Sequence, residues 1–305
     1  MNDSVISVRD FRKTYGDFVA VEGISFDVNQ GEIFGLLGPN GAGKTTTLES
    51  LEGIRSPDSG TLRVAGVDPT RESHKLGSMI GVQLQTSGLP DNITVNEAMK
   101  FFSAYHGVEP NYKLLDRLGL AEKRKSQYHQ LSTGQKRRLA LALALAHNPS
   151  VLFLDEPTAG LDVASRVELH NIMREQQAAG TTIILATHDM AEAEEMSDRV
   201  AILLNGNIKT IGSPMEITAT GAGLTKVSAR TENSSLSDPG LTFPAVSQRG
   251  SKDEYSVFFS TDIGPTVSAI ISHIKTQGDA LIDLRVERPS LEDRFLEITT
   301  NGGSQ

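Results

Sequence analysis

Gly38-Pro39-Asn40-Gly41-Ala42-Gly43-Lys44-Thr45 is the stretch on which the reading of this chain turns. It fits the phosphate-loop pattern: glycine, four free positions, then Gly-Lys-Thr. Glycines let the backbone take positive φ, so successive N–H groups can point inward at phosphate oxygens. A helix opening near Gly43 aims its free N–H groups and its dipole at the same anion. Lys44 brings a mobile positive charge, and the Thr45 hydroxyl suits a magnesium ion. Upstream, Glu32-Ile33-Phe34-Gly35-Leu36-Leu37 is a short apolar run, the pattern of a buried parallel strand feeding the loop. Strand, glycine turn and helix in that order predict an α/β nucleotide-binding core.

Composition narrows the class. At 305 residues the chain has room for one large domain and a smaller one. A formal charge of −9 argues against a nucleic-acid binder driven by bulk electrostatics. The absence of cysteine excludes disulfides, thiol catalysis and thiolate metal sites. No apolar run is long enough to span a bilayer, and the Met1-Asn2-Asp3-Ser4-Val5 start has no basic end followed by an apolar core. The expectation is a soluble cytoplasmic protein whose membrane role, if any, needs a partner that spans.

Around the loop, short alternating segments at 5–8, 19–21, 24–28 and 61–64 read as strands, the first three as a small antiparallel layer. Tyr15 falls at a turn between strands, where an edge aromatic and a ring stacking on a base are both open readings. A strand over 79–85 runs into a loop at 86–88, with Gln83 and Gln85 on one side of it. Thr94 and Glu97 have capping-box spacing before an apolar helical block, and a second short helix over 112–118 is closed by Gly119. The basic cluster at 121–125 reads as a solvated helix face. Ser132 and Gln135 again have capping-box spacing, opening a helix that Asn148-Pro149 stops.

Val151-Leu152-Phe153-Leu154 then leads directly into Asp155-Glu156. A continuously apolar strand is buried on both faces, so its acids fall at the carboxyl end, where α/β sheets bind ligands. One acid suits magnesium and the other can take a proton from water. After a turn rich in breakers and an amphipathic helix over 163–178, another buried strand at 181–186 ends just before His188, at the same sheet edge. A hairpin follows over 199–211.

These residues together resemble the ATP-binding cassette ATPases of ABC transporters. Phosphate loop, glutamine loop, Leu131-Ser132-Thr133-Gly134-Gln135 signature, Asp155-Glu156, the Leu161-Asp162 loop and His188 occur in the family's order over roughly residues 5–214. The resemblance implies a P-loop NTPase core with a small antiparallel β layer and a helical subdomain, about 87–147, within an ATPase domain at 1–216. It implies ATP and Mg2+ as ligands. Tyr15 then stacks on adenine, and Gly38 to Thr46 hold the phosphates. Thr45, Gln85 and Asp155 serve magnesium, with Gln83 the weaker alternative to Gln85. Glu156 is the general base, Lys44 offsets charge and His188 contacts the γ-phosphate. Ser132, Thr133, Gly134 and Gln135 act in trans on the ATP of a second copy, and Asp162 lies at that seam. Thr133 stands where the family most often has glycine. A β-branched residue there restricts the backbone, so altered turnover rather than a dead site is expected.

From 217 to 305 the composition changes to a small α+β domain with strands at 225–229, 245–247, 255–259 and 280–286. It has helices at 263–277 and 290–299 and no cluster of chemical groups, which suits a packing or dimer-stabilising role, with ligand sensing the alternative. Its end, Pro289-Ser290-Leu291-Glu292-Asp293-Arg294-Phe295-Leu296, is similar to a C-terminal motif of drug-exporter ATPases of the daunorubicin-resistance group. That motif implies an exporter subunit working as a homodimer beneath integral membrane permease subunits, on the cytoplasmic face. An importer ATPase shares the other motifs, and a soluble non-transport ABC ATPase is a further alternative.

Overall fold

The computed structural model describes residues 4–84, 88–219, 224–287 and 290–301. The chain divides into two compact units, Met1–Ser213 and Pro214–Gln305. In the first, β1 (Ser4–Tyr15), β2 (Phe18–Asn29) and β3 (Ile33–Leu37) lead through the glycine loop into α1 (Lys44–Leu51). There follow β4 (Ser59–Val64), α2 (Ser73–Gly77), β5 (Ile80–Gln83), α3 (Val95–Tyr105), α4 (Tyr112–Arg117) and α5 (Thr133–Ala144). The unit closes with β6 (Val151–Asp155), α6 (Val163–Ala178), β7 (Thr182–Thr187), α7 (Met190–Met196), β8 (Arg199–Leu204) and β9 (Asn207–Gly212).

Six of these strands form one sheet in the order β5-β6-β7-β3-β8-β9, parallel except for the last pair. The three central strands are fully buried, because the sheet is covered on both faces and each side chain meets a core whichever way the pleat sends it. Leu152 and Leu154 of β6 join a cluster with residues of α3, α4, α5 and α6. Val151 and Phe153 go to the opposite cluster, with Leu48 and Leu51 of α1 and the antiparallel layer. That layer has the order β2-β1-β4, and Phe26 of β2 stacks on Phe34 of β3 with ring centroids 5.3 Å apart. The segments at 19–21 and 24–28, expected as separate strands, are one continuous strand here. Its pairing with β1 absorbs the interruption in register shifts, which a strict alternation pattern does not register.

Both capping boxes form: Thr94 Oγ1 accepts from Glu97 N at 3.2 Å, and Ser132 Oγ from Gln135 N at 3.2 Å. The basic cluster faces solvent at Ala121, Glu122 and Lys125, as expected, but not on a regular helix. Residues 121–123 make a single 3-10 turn, and Arg124 donates to Asp116 at 2.5 Å while lying over the Tyr112 ring. Half-buried, it also ties α4 down.

In the second unit, α8 (Pro214–Ala219) precedes β10 (Thr225–Thr231), β11 (Val246–Lys252), β12 (Tyr255–Ser260), α9 (Ile263–Thr276), β13 (Leu281–Glu287) and α10 (Leu291–Asn301). The sheet order is β11-β12-β10-β13, antiparallel throughout. Ile270 and Ile274 of α9 pack on Val227, Ala229 and Phe258 of the sheet. Ser290 and Asp293 exchange capping hydrogen bonds at the head of α10, at 2.9 and 3.2 Å. No described helix is long and apolar enough to cross a membrane.

Candidate functional site

Strand order decides where the chemistry gathers. β6, β7 and β3 lie side by side, with Asp155 level with Ala186 and Ala186 level with Leu36. The carboxyl ends of three strands distant in sequence therefore open on one edge. There the glycine loop leaves β3, Asp155-Glu156 ends β6 and His188 follows β7.

The loop's shape needs glycine at two places. Gly43 has φ +104°, and a Cβ there would stand 2.6 Å from the Ala20 carbonyl oxygen. At Gly38 a Cβ would come within 2.4 Å of the Leu203 carbonyl oxygen. Both positions let the loop pass close against neighbouring backbone, which a side chain would prevent. The Lys44 side chain is buried and curls back, its Nζ donating to Gly38 O at 2.7 Å and Pro39 O at 3.2 Å. The same Nζ is 3.8 Å from Glu156 Oε1. Thr45 Oγ1 donates to Asp155 Oδ2 at 2.9 Å. His188 Nδ1 stands 2.7 Å from the Glu156 carboxylate, on a side chain that is 57% exposed. Glu156 itself is buried at φ +51°, a left-handed backbone that costs a non-glycine residue energy and is held only where its surroundings insist.

Burial sets the electrostatics. It lowers the Lys44 pKa, with Glu156 and Asp155 opposing. It raises that of Asp155, against the Thr45 hydrogen bond and with the Glu156 charge adding to the rise. Both groups are thus held near a partner of opposite charge in a dry place, so an added anion or cation there meets little competition from water.

Asn40, Gly41, Ala42, Gly43, Lys44, Thr45, Thr46, Asp155 and Glu156 line one cleft of about 280 Å3, joined at its mouth by Tyr15, Phe18 and Ala20. Tyr15 is 40% exposed, with Arg55 and Lys13 near its ring. Ser132, Thr133, Gly134, Gln135 and Asp162 are not in the lining. Ser132 and Asp162 instead cap α5 and α6 from exposed positions. Gln85 lies outside the described residues, while Gln83 is buried in β5. A larger hollow of about 820 Å3 in the second unit is polar. Its arginines are already engaged, Arg230 with Glu254 and Arg249 with the Leu236 and Asp238 carbonyls, so the chemistry belongs to the smaller cleft.

Two residues at the site have no signal in the motif pattern. Phe18 faces the cleft mouth beside Tyr15, and a second aromatic within the same hairpin was the available clue. Arg137, on the second turn of α5, donates to the Glu156 carbonyl at 3.3 Å and to the Ala159 carbonyl. It ties the helix that Ser132 caps to the strained turn carrying Glu156. Only its place in a basic run, Lys136-Arg137-Arg138, hinted at an anchoring role.

A phosphate loop, a lysine, and paired acids at the carboxyl edge of a parallel sheet define a P-loop nucleotide-binding cassette. The family model described as ABC transporter matches residues 21–159. The chain is 36% identical over 303 residues to the Nod factor export ATP-binding protein I of Ralstonia nicotianae (strain ATCC BAA-1114 / GMI1000), covering 97% of this chain and 94% of that one. It is 32% identical to the daunorubicin resistance ATP-binding protein DrrA3 of Streptomyces coeruleorubidus, over 98% of this chain and 97% of that one. Among solved structures, one titled as the ATP binding subunit of an ABC transporter superposes with a TM-score of 0.69 at 27% identity, covering 72% of this chain and 94% of that one. The chain belongs to the ABC transporter family and is one of its nucleotide-binding, ATP-hydrolysing cassettes.

Proposed function

We propose that this cassette powers an exporter, with two copies working beneath separate membrane-spanning subunits on the cytoplasmic face. The observation that carries the catalytic reading is the convergence of Lys44, Thr45, Asp155, Glu156 and His188 at one sheet edge, linked at 2.7 to 3.8 Å. Export is supported by relatives aligned over nearly the whole chain that are named for Nod factor export and daunorubicin resistance.

Residues 1–216 form the ATPase, residues 217–305 an accessory domain, and the helical block at about 87–147 carries the signature. Tyr15, with Phe18, stacks on adenine. Backbone N–H groups of the loop from Gly38 to Thr46, Pro39 having none, receive the phosphates, and Lys44 leaves its loop carbonyls for the terminal ones. A magnesium ion fits the oxygens present: Asp155 Oδ1 is buried without a hydrogen-bond partner, beside the Thr45 hydroxyl. Thr45, Asp155 and Gln85 would hold it, and it would supply positive charge against the phosphates. Glu156 accepts the proton of a water aligned with the γ-phosphate, and His188, held by Glu156, contacts that phosphate.

Ser132, Thr133, Gly134 and Gln135 come from the second copy, with Asp162 at the seam. A Cβ at Gly134 would meet Leu161 Cδ2 at 3.5 Å and Gly160 O at 3.8 Å, both ordinary contacts, so nothing among the described residues demands glycine there. A phosphate brought by another copy supplies that demand.

Glu156→Gln tests the assignment. The variant should keep ATP affinity, turn over more than about 100-fold more slowly, and accumulate as an ATP-dependent dimer in sedimentation velocity. A wild-type rate would remove Glu156 as the base.

A further inference from the structure

His188 has little to hold it in place. Its side chain is 57% exposed, and its hydrogen bond among the described residues is the one shared with Glu156. Where the ring reaches is therefore set by the backbone on either side: the end of β7 before it, and Asp189, the N-cap of α7, after it. β7 is fixed by a strand along each edge. α7 has seven residues, too few to persist as a helix unaided. Its start keeps its place only as far as neighbouring elements hold it.

The polar part of that hold comes from α6. Arg166, His170 and Arg174 recur every fourth residue on α6, and Asp189, Glu192 and Glu195 every third from the α7 cap onward, spacings that keep each set on one side of its helix. The two sets meet in order. Arg166 Nη1 lies 3.7 Å from Asp189 Oδ2, His170 Nε2 lies 3.4 Å from Glu192 Oε1, and Arg174 Nη2 donates to the Glu195 carbonyl at 2.6 Å. The arginines are exposed, where such contacts contribute little. The middle pair is buried, Glu192 at 3% and His170 at 8% exposure, and His170 Nδ1 is also 3.9 Å from the Glu195 carboxylate. Apolar side chains of like size would hold two helices together at least as firmly. What a hydrogen bond adds is direction, since Glu192 meets His170 over a narrow range of rotation of α7. Glu192 N in turn donates to Asp189 Oδ1, and Asp189 N to Thr187 Oγ1, both at 3.0 Å. A chain of bonds thus runs from α6 to the residues on both sides of His188.

We propose that His170 and Glu192 are positioning residues for ATP hydrolysis: they fix the start of α7 and, through it, the reach of His188 to the γ-phosphate. The proposal rests on the reading of His188 given above. Neither residue lines the cleft, so both act through His188.

The test is a double-mutant cycle on the full chain. His170→Leu with Glu192→Leu replaces the pair by apolar side chains. Its Tm should stay within about 3 °C of wild type or rise, while kcat falls about fivefold or more with KM for ATP within about twofold. Introduced into His188→Ala, the same two changes should slow turnover by less than about twofold, because the group they position is gone. A role in folding alone would instead cost the same factor in both backgrounds. A wild-type kcat for the apolar pair overturns the proposal, as does an equal loss with and without His188. A wild-type rate for His188→Ala by itself refutes the reading of His188, and the proposal falls with it; a slow His188→Ala beside a wild-type apolar pair refutes the positioning role alone. If the apolar pair does not fold, His170→Ala, which leaves room for water at Glu192, takes its place in the cycle under the same criteria.

Discussion

Replacing Glu52 with glutamine should flatten the pH dependence of stability in the ATPase unit. Glu52 follows α1, whose first residue is Lys44, and is 8% exposed, with Oε2 lacking a hydrogen-bond partner. Burial, with Asp155 and Glu49 adding their charges, pushes its carboxyl up from 4.5 to about 8. At about 1.4 kcal/mol per tenfold change in proton affinity, ionising Glu52 in the folded chain costs on the order of 5 kcal/mol. The folded pKa lies above the unfolded one, so between these values the folded chain holds a proton that the unfolded chain has lost. Stability then falls with rising pH, by up to about 1.4 kcal/mol per pH unit. The contribution is complete below the unfolded pKa and lost as pH rises through about 8. Urea unfolding at about pH 6 and about pH 8 should show the wild type losing about 2 kcal/mol more across that interval than Glu52→Gln. Nucleotide affinity should be unchanged, because a neutral Glu52 places no extra charge near Asp155. Equal pH slopes in the two proteins would mean that Glu52 ionises as a hydrated carboxyl, and would refute the burial argument.

Three further outcomes test the cleft. Gly43→Ala forces a side chain onto a backbone at φ +104° and against the Ala20 carbonyl; a Tm lowered by about 5 °C or more and lost nucleotide binding are expected in thermal-shift and binding assays. Gly134→Ala has room within its own chain, so stability should hold or rise by up to about 1 kcal/mol while ATP turnover falls about tenfold; unchanged turnover would take the signature out of a composite site. Arg137→Ala frees the Glu156 and Ala159 carbonyls and should lower kcat about tenfold with KM within about twofold. Arg137→Lys should not restore it, because an ammonium cannot reproduce the planar fork, and steady-state kinetics of the pair decide the point.

How much could be read before folding differs by residue, for physical reasons. The glycine loop declares itself because its chemistry is local: backbone curl, helix N-terminus and lysine sit within eight consecutive residues, Gly38 to Thr45. The caps at Thr94, Ser132 and Ser290 were legible likewise, each spanning four residues. Short helices at Ser73–Gly77 and Met190–Met196 were not. At one to two turns they owe their form to packing, and they are too brief to set up a periodic pattern. The two long strands of the antiparallel layer were read as fragments because register shifts break their alternation.

By itself the sequence determined the kinds of groups and their order: a phosphate loop, two acids after an apolar strand, a histidine after the next. What the tertiary structure decided was adjacency. β6 and β3 flank β7 although more than a hundred residues separate them in the chain, and this brings Thr45 to Asp155 and Lys44 to Glu156. Arg137 reaches the Glu156 turn, and Glu52 is sealed from water, for the same reason. Pairing between distant strands and burial between layers leave no local mark, since each is set by what lies on the other side of the contact.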